Sequence, residues 1–401
     1  MTEHKPRRAS RRELLLVAAL ALLAVFALLV RSERLEAGHP DFQRPWDHHK
    51  YIHMATGGLF DFRVAPFCWR VGVPLAVKLL PFGTRGGFLS IAMVSLVAAG
   101  LLLYLAARRF GFSARLSIAG MLLFFSLGWA AKYNLSHFWL SDAAALALAG
   151  AVILLILGRR MAWAALVLAL AVTVKESVLF VAPLFYSLRA RRIWDGRLLL
   201  QSLLYALPAL AMLLALRAAI PMGNGDAEYM AALPEQLRTV HHGVSDFDLA
   251  YLWREHGLRR LTAPSLLDLK EMSIWAWGPL MLLLPFFAFG RARALFLRFA
   301  PLLLLAYAQL ALASNSQRLV VLAYAAMILP GLAVLEGWGR RLRADEGVWV
   351  ILAAGLVVLN LRDPAAYAPD FPVQLSYFLI FIIILLIGRP FRIFASRRDI
   401  D

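Results

Sequence analysis

Hydrophobic residues in this chain come in long runs separated by short charged turns. The first run is Leu14–Val30, and eleven more follow at about 88–107, 115–131, 139–158, 161–174, 177–188, 198–220, 273–290, 299–313, 319–336, 347–361 and 374–388. Most are close to the ~20 apolar residues that carry a helix across a ~30 Å hydrocarbon layer. The pattern predicts an all-α polytopic integral membrane protein of about twelve transmembrane helices. Two places break the rhythm. Met161–Leu188 carries Lys175 and Glu176 in its middle. It reads as two short helices meeting at that polar pair. A helix over 161–174 covers only about 21 Å, so the Lys-Glu turn is expected below the membrane surface, in a cavity shielded from lipid. The second place, Ala65–Phe82, is apolar but interrupted by Pro66, Arg70, Pro74, Lys78 and Pro81. It is expected to lie in the interface as short helices rather than to cross.

Composition agrees with this class. Hydrophobic residues make up 61% of the chain and charged residues only 17%, and mean hydropathy is +0.69. A single cysteine, Cys68, excludes a disulfide framework and a cysteine-rich metal site. The net charge of +17 would suit nucleic acid in a soluble protein. Here nearly all of it sits in the N-terminal tail, the C-terminal tail and a set of arginine-rich turns such as "ARRFGFSAR", "RARRIWDGR" and "GRRLRADE". That is the positive-inside signature, so the charge is a topology signal and no nucleic-acid partner is expected. Both termini are expected in the cytoplasm, and the first run reads as an uncleaved span rather than a signal peptide. One membrane domain over 1–401 results. It has a cytoplasmic tail at 1–13, a first outer loop at 31–87 with interfacial helices, a second long outer loop at 221–272 and a cytoplasmic tail at 389–401.

The uncommon polar residues fall on the other side. Of nine histidines only His4 lies in a cytoplasmic segment. In "QRPWDHHKYIHM", Pro45-Trp46 signals a helix start, and Asp47, Lys50, Tyr51 and Met54 then share one face. Asp47 either favours the helix N-terminus and pairs with Lys50, or serves as a general base for an acceptor hydroxyl. His48 and Tyr51 would line the same pocket. His49 and His53 have the i, i+4 spacing of a two-histidine metal site, but Asp47 lies roughly 200° round the helix from His49. They are weak candidates for a divalent metal, and no cofactor is expected. Arg70 either snorkels to headgroups or clamps a phosphate. His137 and Asp142 open the fourth run, where a carboxylate should face the protein interior. Lys175 and Glu176 either neutralise each other or serve a site. Arg318, after Asn315 and Gln317 in "SNSQR", is either an interfacial anchor or a counter-charge for a phosphate leaving group.

This layout resembles the GT-C superfamily of polytopic membrane glycosyltransferases, including bacterial members. Its carriers here are "WDHHKY", "LSDAAALALAG", "VTVKESVLFVAPLFY" and "SNSQRLVVLAY", within roughly residues 14–340. Many relatives carry adjacent acidic residues in the first outer loop, whereas His48 follows Asp47 here. The resemblance implies a GT-C-like fold and a polyprenyl-phosphate sugar as donor. It also implies a catalytic cavity on the non-cytoplasmic face of a bacterial-type inner or plasma membrane. Asp47 would take the acceptor proton, and Arg318, with Arg70 or Lys175, would meet the departing phosphate. The expected partners are the lipid-linked sugar donor and membrane lipid. Two other classes remain open from the residues: a secondary transporter, for which intramembrane Lys175–Glu176 would carry coupling charge, and a non-catalytic component of a surface-polysaccharide system.

Overall fold

The computed structural model describes residues 10–238, 263–311, 317–365 and 371–387. Asn315, His241, His242, His256 and the C-terminal tail lie outside them. Every regular element among the described residues is helical.

Twelve helices lie within the described residues 10–238. They are α1 (Arg11–Arg31), α2 (Asp47–Thr56), α3 (Gly72–Leu79), α4 (Gly83–Arg109), α5 (Ala114–Ser126), α6 (Lys132–Ser136), α7 (Asp142–Leu157), α8 (Met161–Val172), α9 (Leu184–Ser187), α10 (Gly196–Ala219), α11 (Ala227–Ala232) and α12 (Glu235–Arg238). The second half adds α13 (Ala263–Trp277), α14 (Gly290–Ala308), α15 (Gln317–Val320), α16 (Tyr324–Leu342), α17 (Gly347–Asn360) and α18 (Phe371–Ile387). Short 3-10 turns fill several joints, notably Glu176–Val181 and Gly278–Ala288.

Local sequence sets many of these boundaries. Ser10 and Glu13 form a capping box at α1: Ser10 Oγ accepts from the Glu13 amide at 3.1 Å, and Glu13 accepts from the Ser10 amide at 3.3 Å. Ser113 and Asp195 cap α5 and α10 by side-chain acceptance alone, from the Leu116 and Leu198 amides. Each apolar run falls on helical backbone, with shifted edges. The second run begins at Gly83 rather than 88, and α14 begins at Gly290, taking in Arg291, Arg293 and Arg298 before its apolar part.

Among the described residues, five helical stretches are long and apolar enough to cross a membrane: Arg11–Arg31, Gly83–Arg109, Gly196–Ala219, Leu267–Ala288 and Gln317–Leu342. Shorter apolar helices pack among them, α7 on α4 and α8 and α17 on α5, and the longer α14 packs on α16. Burial grades across the bundle. Gln317–Leu342 is its almost wholly buried centre. α10 turns Leu200, Leu203, Leu204, Leu207, Leu210 and Leu214 outward, as a helix bathed in lipid would.

The bundle has two chemically different ends. At one end the arginine-rich turns tie into each other. Arg108 pairs with Glu13 at 3.2 Å, Arg115 with Asp345 at 2.6 Å, and Arg291 with Glu336 at 2.6 Å. The opposite end carries α2, α3, α6, the start of α7, the joint after α8, and α15. The segment Ala65–Phe82 belongs to this end as two short helical pieces, a 3-10 turn over Phe67–Trp69 and α3. The start of the second long loop folds back on the first. Asn224 Oδ1 accepts from the Ala65 amide at 2.8 Å, the Gly223 amide donates to Arg63 O at 2.8 Å, and Tyr229 OH accepts from the Arg63 amide at 2.7 Å. Trp69 Nε1 donates to Ile220 O at 3.0 Å. This clamp fixes the strand of chain that carries Arg70.

Candidate functional site

Three carboxylates at this end each open a helical turn. Asp47 is the first residue of α2, Asp142 the first of α7, and Glu176 the first of the 3-10 turn. Unpaired amides at a helix start favour negative charge there. Three cations come from the breaks between elements. Arg70 follows the 3-10 turn Phe67–Trp69, Lys175 has extended backbone (φ −161°, ψ 125°) where α8 has ended, and Arg318 lies in the first turn of the central helical stretch.

These six residues pair one to one. Arg318 Nη2 lies 2.7 Å from Asp47 Oδ2, with side chains 11% and 7% exposed. Lys175 Nζ lies 2.5 Å from Asp142 Oδ1. Arg70 meets Glu176 through two contacts, Nε to Oε2 at 2.9 Å and Nη2 to Oε1. Hydroxyls extend two of the pairs. Arg70 Nη1 donates to Tyr51 OH at 3.2 Å, and Tyr51 OH bonds Ser141 Oγ at 3.1 Å, next to Asp142. Arg318 Nη1 donates to Tyr133 OH at 3.3 Å. A small cavity of ≈ 10 Å³, room for about one water, is lined by Asn134, Asp142, Lys175, Ser177 and Arg318 on its polar side. Buried pairs of this kind hold each other in place, because removing one partner strands the other charge in a poor solvent.

Two sequence expectations change here. Lys175 and Glu176 do not neutralise each other: the chain turns between them, sending Lys175 to Asp142 and Glu176 to Arg70. Asp47 takes its cation from Arg318 rather than from Lys50. The reason is geometric. The fold brings the start of α2 to the start of the central helical stretch, so the carboxylate meets a long guanidinium arriving from another element.

The histidines form an aromatic wall. His137 stacks on Tyr133 (4.4 Å between centroids, 15° between planes) and lies 6.1 Å from Trp46. His48 and His49 rings sit 4.0 Å apart beside Phe42, and His48 Nε2 is 2.9 Å from Phe42 O. Burial, then the neighbouring His49, pushes the His48 pKa down to about 4. Burial, then Arg318, does the same to His137, also to about 4. Both imidazoles are neutral at neutral pH. His53 turns to a separate partner, edge-on to Phe62 at 5.5 Å, and no group of three His, Cys, Asp or Glu side chains capable of holding a metal occurs among the described residues. Gln317 is half-buried beside Arg318 at the start of α15.

Three residues contribute more than sequence reasoning assigned to them. Tyr133 and Ser141 were hidden in the polar turn "KYNLSHFWLSD", which flags the region without ranking its members. Lys50 is wholly buried. Its Nζ lies 4.7 Å over the Phe67 ring and has no hydrogen-bond partner among the described residues. Burial lowers its pKa, with Asp47 opposing.

No family model, curated protein or solved structure matches this chain.

Proposed function

We propose that this protein is a membrane glycosyltransferase of GT-C type. It would move a sugar from a polyprenyl-phosphate carrier to an acceptor hydroxyl at the non-cytoplasmic face of a bacterial-type plasma membrane, within a bundle of about twelve spans whose termini face the cytoplasm. The observation that carries this reading is the meeting of Asp47, Arg70, Asp142, Lys175, Glu176 and Arg318 in one buried network. Their elements lie far apart in sequence, and the network sits opposite the arginine-rich end. A lipid-linked sugar delivers its phosphate at the depth of a membrane interface, where guanidinium and ammonium groups are suited to receive it.

The chemistry follows from the residue types. Asp47 accepts the proton of the attacking hydroxyl as the new glycosidic bond forms. The bond from the anomeric carbon to the phosphate oxygen breaks, and the polyprenyl phosphate leaves with that electron pair. Arg318, Lys175 and Arg70 offset the charge that develops on it. Asp142 and Glu176 keep Lys175 and Arg70 charged and aimed. The neutral wall of His48, His137 and Tyr133 would bound the acceptor side. The direct test is sugar transfer by the purified chain in liposomes containing a polyprenyl-phosphate sugar. Asp47→Asn is expected to lower transfer by about 10²–10⁴-fold, and full activity in that variant would overturn the reading.

A secondary transporter is favoured by one specific observation: the buried Lys175–Asp142 pair sits where a helix is interrupted, the place where transporters bind coupling ions. Proton flux through proteoliposomes without any sugar donor would favour it, and a proton-tight protein would exclude it.

A further inference from the structure

The six charges of the network cancel. Arg70, Lys175 and Arg318 face Glu176, Asp142 and Asp47, one carboxylate for each cation. An anion arriving here cannot recruit one of these three cations without taking it from its carboxylate. The three pairs are not equally held. Arg70 grips Glu176 through two nitrogens and also holds Tyr51. Lys175 and Asp142 are the most deeply buried, at 5% and 8% exposure of their side chains. Arg318 differs. It reaches Asp47 through Nη2, spends Nη1 on a neutral hydroxyl at 3.3 Å, and leaves Nε buried without a hydrogen-bond partner among the described residues. It also lines the cavity, as does Asn134, whose buried Oδ1 has no hydrogen-bond partner among the described residues.

We propose that an organic phosphate enters this site by exchange: it takes the Arg318 guanidinium and displaces the Asp47 carboxylate. No covalent bond changes in this step. One charge-assisted contact is replaced by another that engages the unused Nε as well. A planar guanidinium that offers two parallel donors to a phosphate gains over its single contact with Asp47. The consequence for the proposed transfer reaction, on which this part rests, is an order of events. Asp47 is held by Arg318 until the phosphate-bearing donor is bound, and only then becomes a base for the acceptor. Wasteful hydrolysis of the donor is limited because the base and the phosphate cation are released to their tasks together.

Binding alone tests the exchange. Farnesyl phosphate is titrated calorimetrically into the full chain in lipid nanodiscs, with inorganic phosphate in a second arm. Removing the competing carboxylate with Asp47→Asn is expected to tighten farnesyl phosphate binding by roughly tenfold. Arg318→Gln is expected to weaken binding by a similar factor, and in that background Asp47→Asn should bring no gain. A matching gain with inorganic phosphate assigns recognition to the phosphate group, while a gain seen only with farnesyl phosphate assigns it to lipid-borne phosphate. Unchanged or weaker binding in Asp47→Asn overturns the exchange. Should Asp47→Asn fail to give monodisperse protein, carbodiimide footprinting of the wild-type chain reads the same event. Labelling of Asp47 should rise when farnesyl phosphate is added, and a constant or lower level overturns the proposal. The two readings fail separately. Lost transfer with no gain in phosphate affinity sinks only the exchange, and tighter phosphate binding with full transfer sinks only the role of Asp47 as base.

Discussion

Arg318 and Asp47 stand 271 residues apart in the chain and meet at 2.7 Å in the fold. Each is nearly excluded from solvent, and each offsets the other's charge. Arg318→Ala is expected to destabilise the protein by about 3–5 kcal/mol, because it strands the Asp47 carboxylate. The double variant Arg318→Gln/Asp47→Asn should regain most of that loss. A thermal-unfolding cycle over wild type, the two single variants and the double variant measures the coupling. Additive losses would mean that the pair contributes nothing.

The joint after α8 depends on a glycine. The Gly72 amide donates to Thr173 O at 2.8 Å, and a Cβ placed on Gly72 would meet Thr173 Oγ1 at 2.7 Å and Val174 Cγ2 at 2.8 Å. Gly72→Ala must therefore push α3 off the turn that presents Lys175 and Glu176. The expected cost is about 1–3 kcal/mol of stability, with transfer activity falling further than stability does, because both ion pairs hang on that turn. Gly83→Ala makes a control that separates backbone strain from contact. Gly83 has φ +65° but open space around a Cβ, so it should cost stability without a selective effect on activity.

Much of this was legible in the sequence, for a physical reason. A membrane forces apolar residues into runs and charges into turns, so the all-helical class and the places of the apolar runs on helices can be read from the pattern. The same constraint made Asp47, Asp142, Lys175, Glu176 and Arg318 conspicuous, since ionisable groups in such a chain must be sheltered. Who pairs with whom was not legible. Lys175 and Glu176 are adjacent in sequence and diverge in space because the backbone is extended at Lys175. Arg318 finds Asp47 only through the tertiary fold, which brings two segments far apart in sequence side by side. Tyr51, Tyr133 and Ser141 are common residue types, and nothing local marks them as the bridges they become.

The histidine wall implies a pH dependence with a definite sign. His48 and His137 have pKa values near 4 in the fold against about 6.5 unfolded. The unfolded chain therefore binds more protons between those values. Their contribution is complete above about pH 6.5, is lost as pH falls toward 4, and does not change further below that. Thermal unfolding in detergent between pH 4.5 and 7.5 should show stability falling with acid. His137→Phe keeps the stack on Tyr133 and removes one titrating group, so its slope in this window should be shallower. An unchanged slope would assign the acid sensitivity to carboxylates instead.

Arg70 and Glu176 test the bidentate geometry. Arg70→Lys keeps the charge but has no planar fork, so it cannot hold both carboxylate oxygens and Tyr51 at once. The expected result is a loss of about 1–3 kcal/mol in stability together with weaker binding of phosphate ligands. A fully active, fully stable Arg70→Lys variant would show that point charge alone is needed at this position.

Lys50 offers the sharpest separation of stability from function. Its ammonium is wholly buried, rests on the Phe67 ring, and lacks a hydrogen bond among the described residues. Desolvation of such a cation opposes folding, and a cation–π contact returns only about 1–2 kcal/mol of it. Lys50→Met has similar length and no charge, so it should raise thermal stability by an amount equivalent to about 1–3 kcal/mol. A residue kept against its own cost to folding calls for another reason, and Asp47 one turn away supplies it: a positive charge there favours the ionised carboxylate. Lys50→Met should therefore be more stable and less active than wild type, read by unfolding temperature and sugar transfer on the same preparation. A variant that is less stable would show that the ammonium is satisfied in the fold, and one that is more stable with full activity would remove Lys50 from the site.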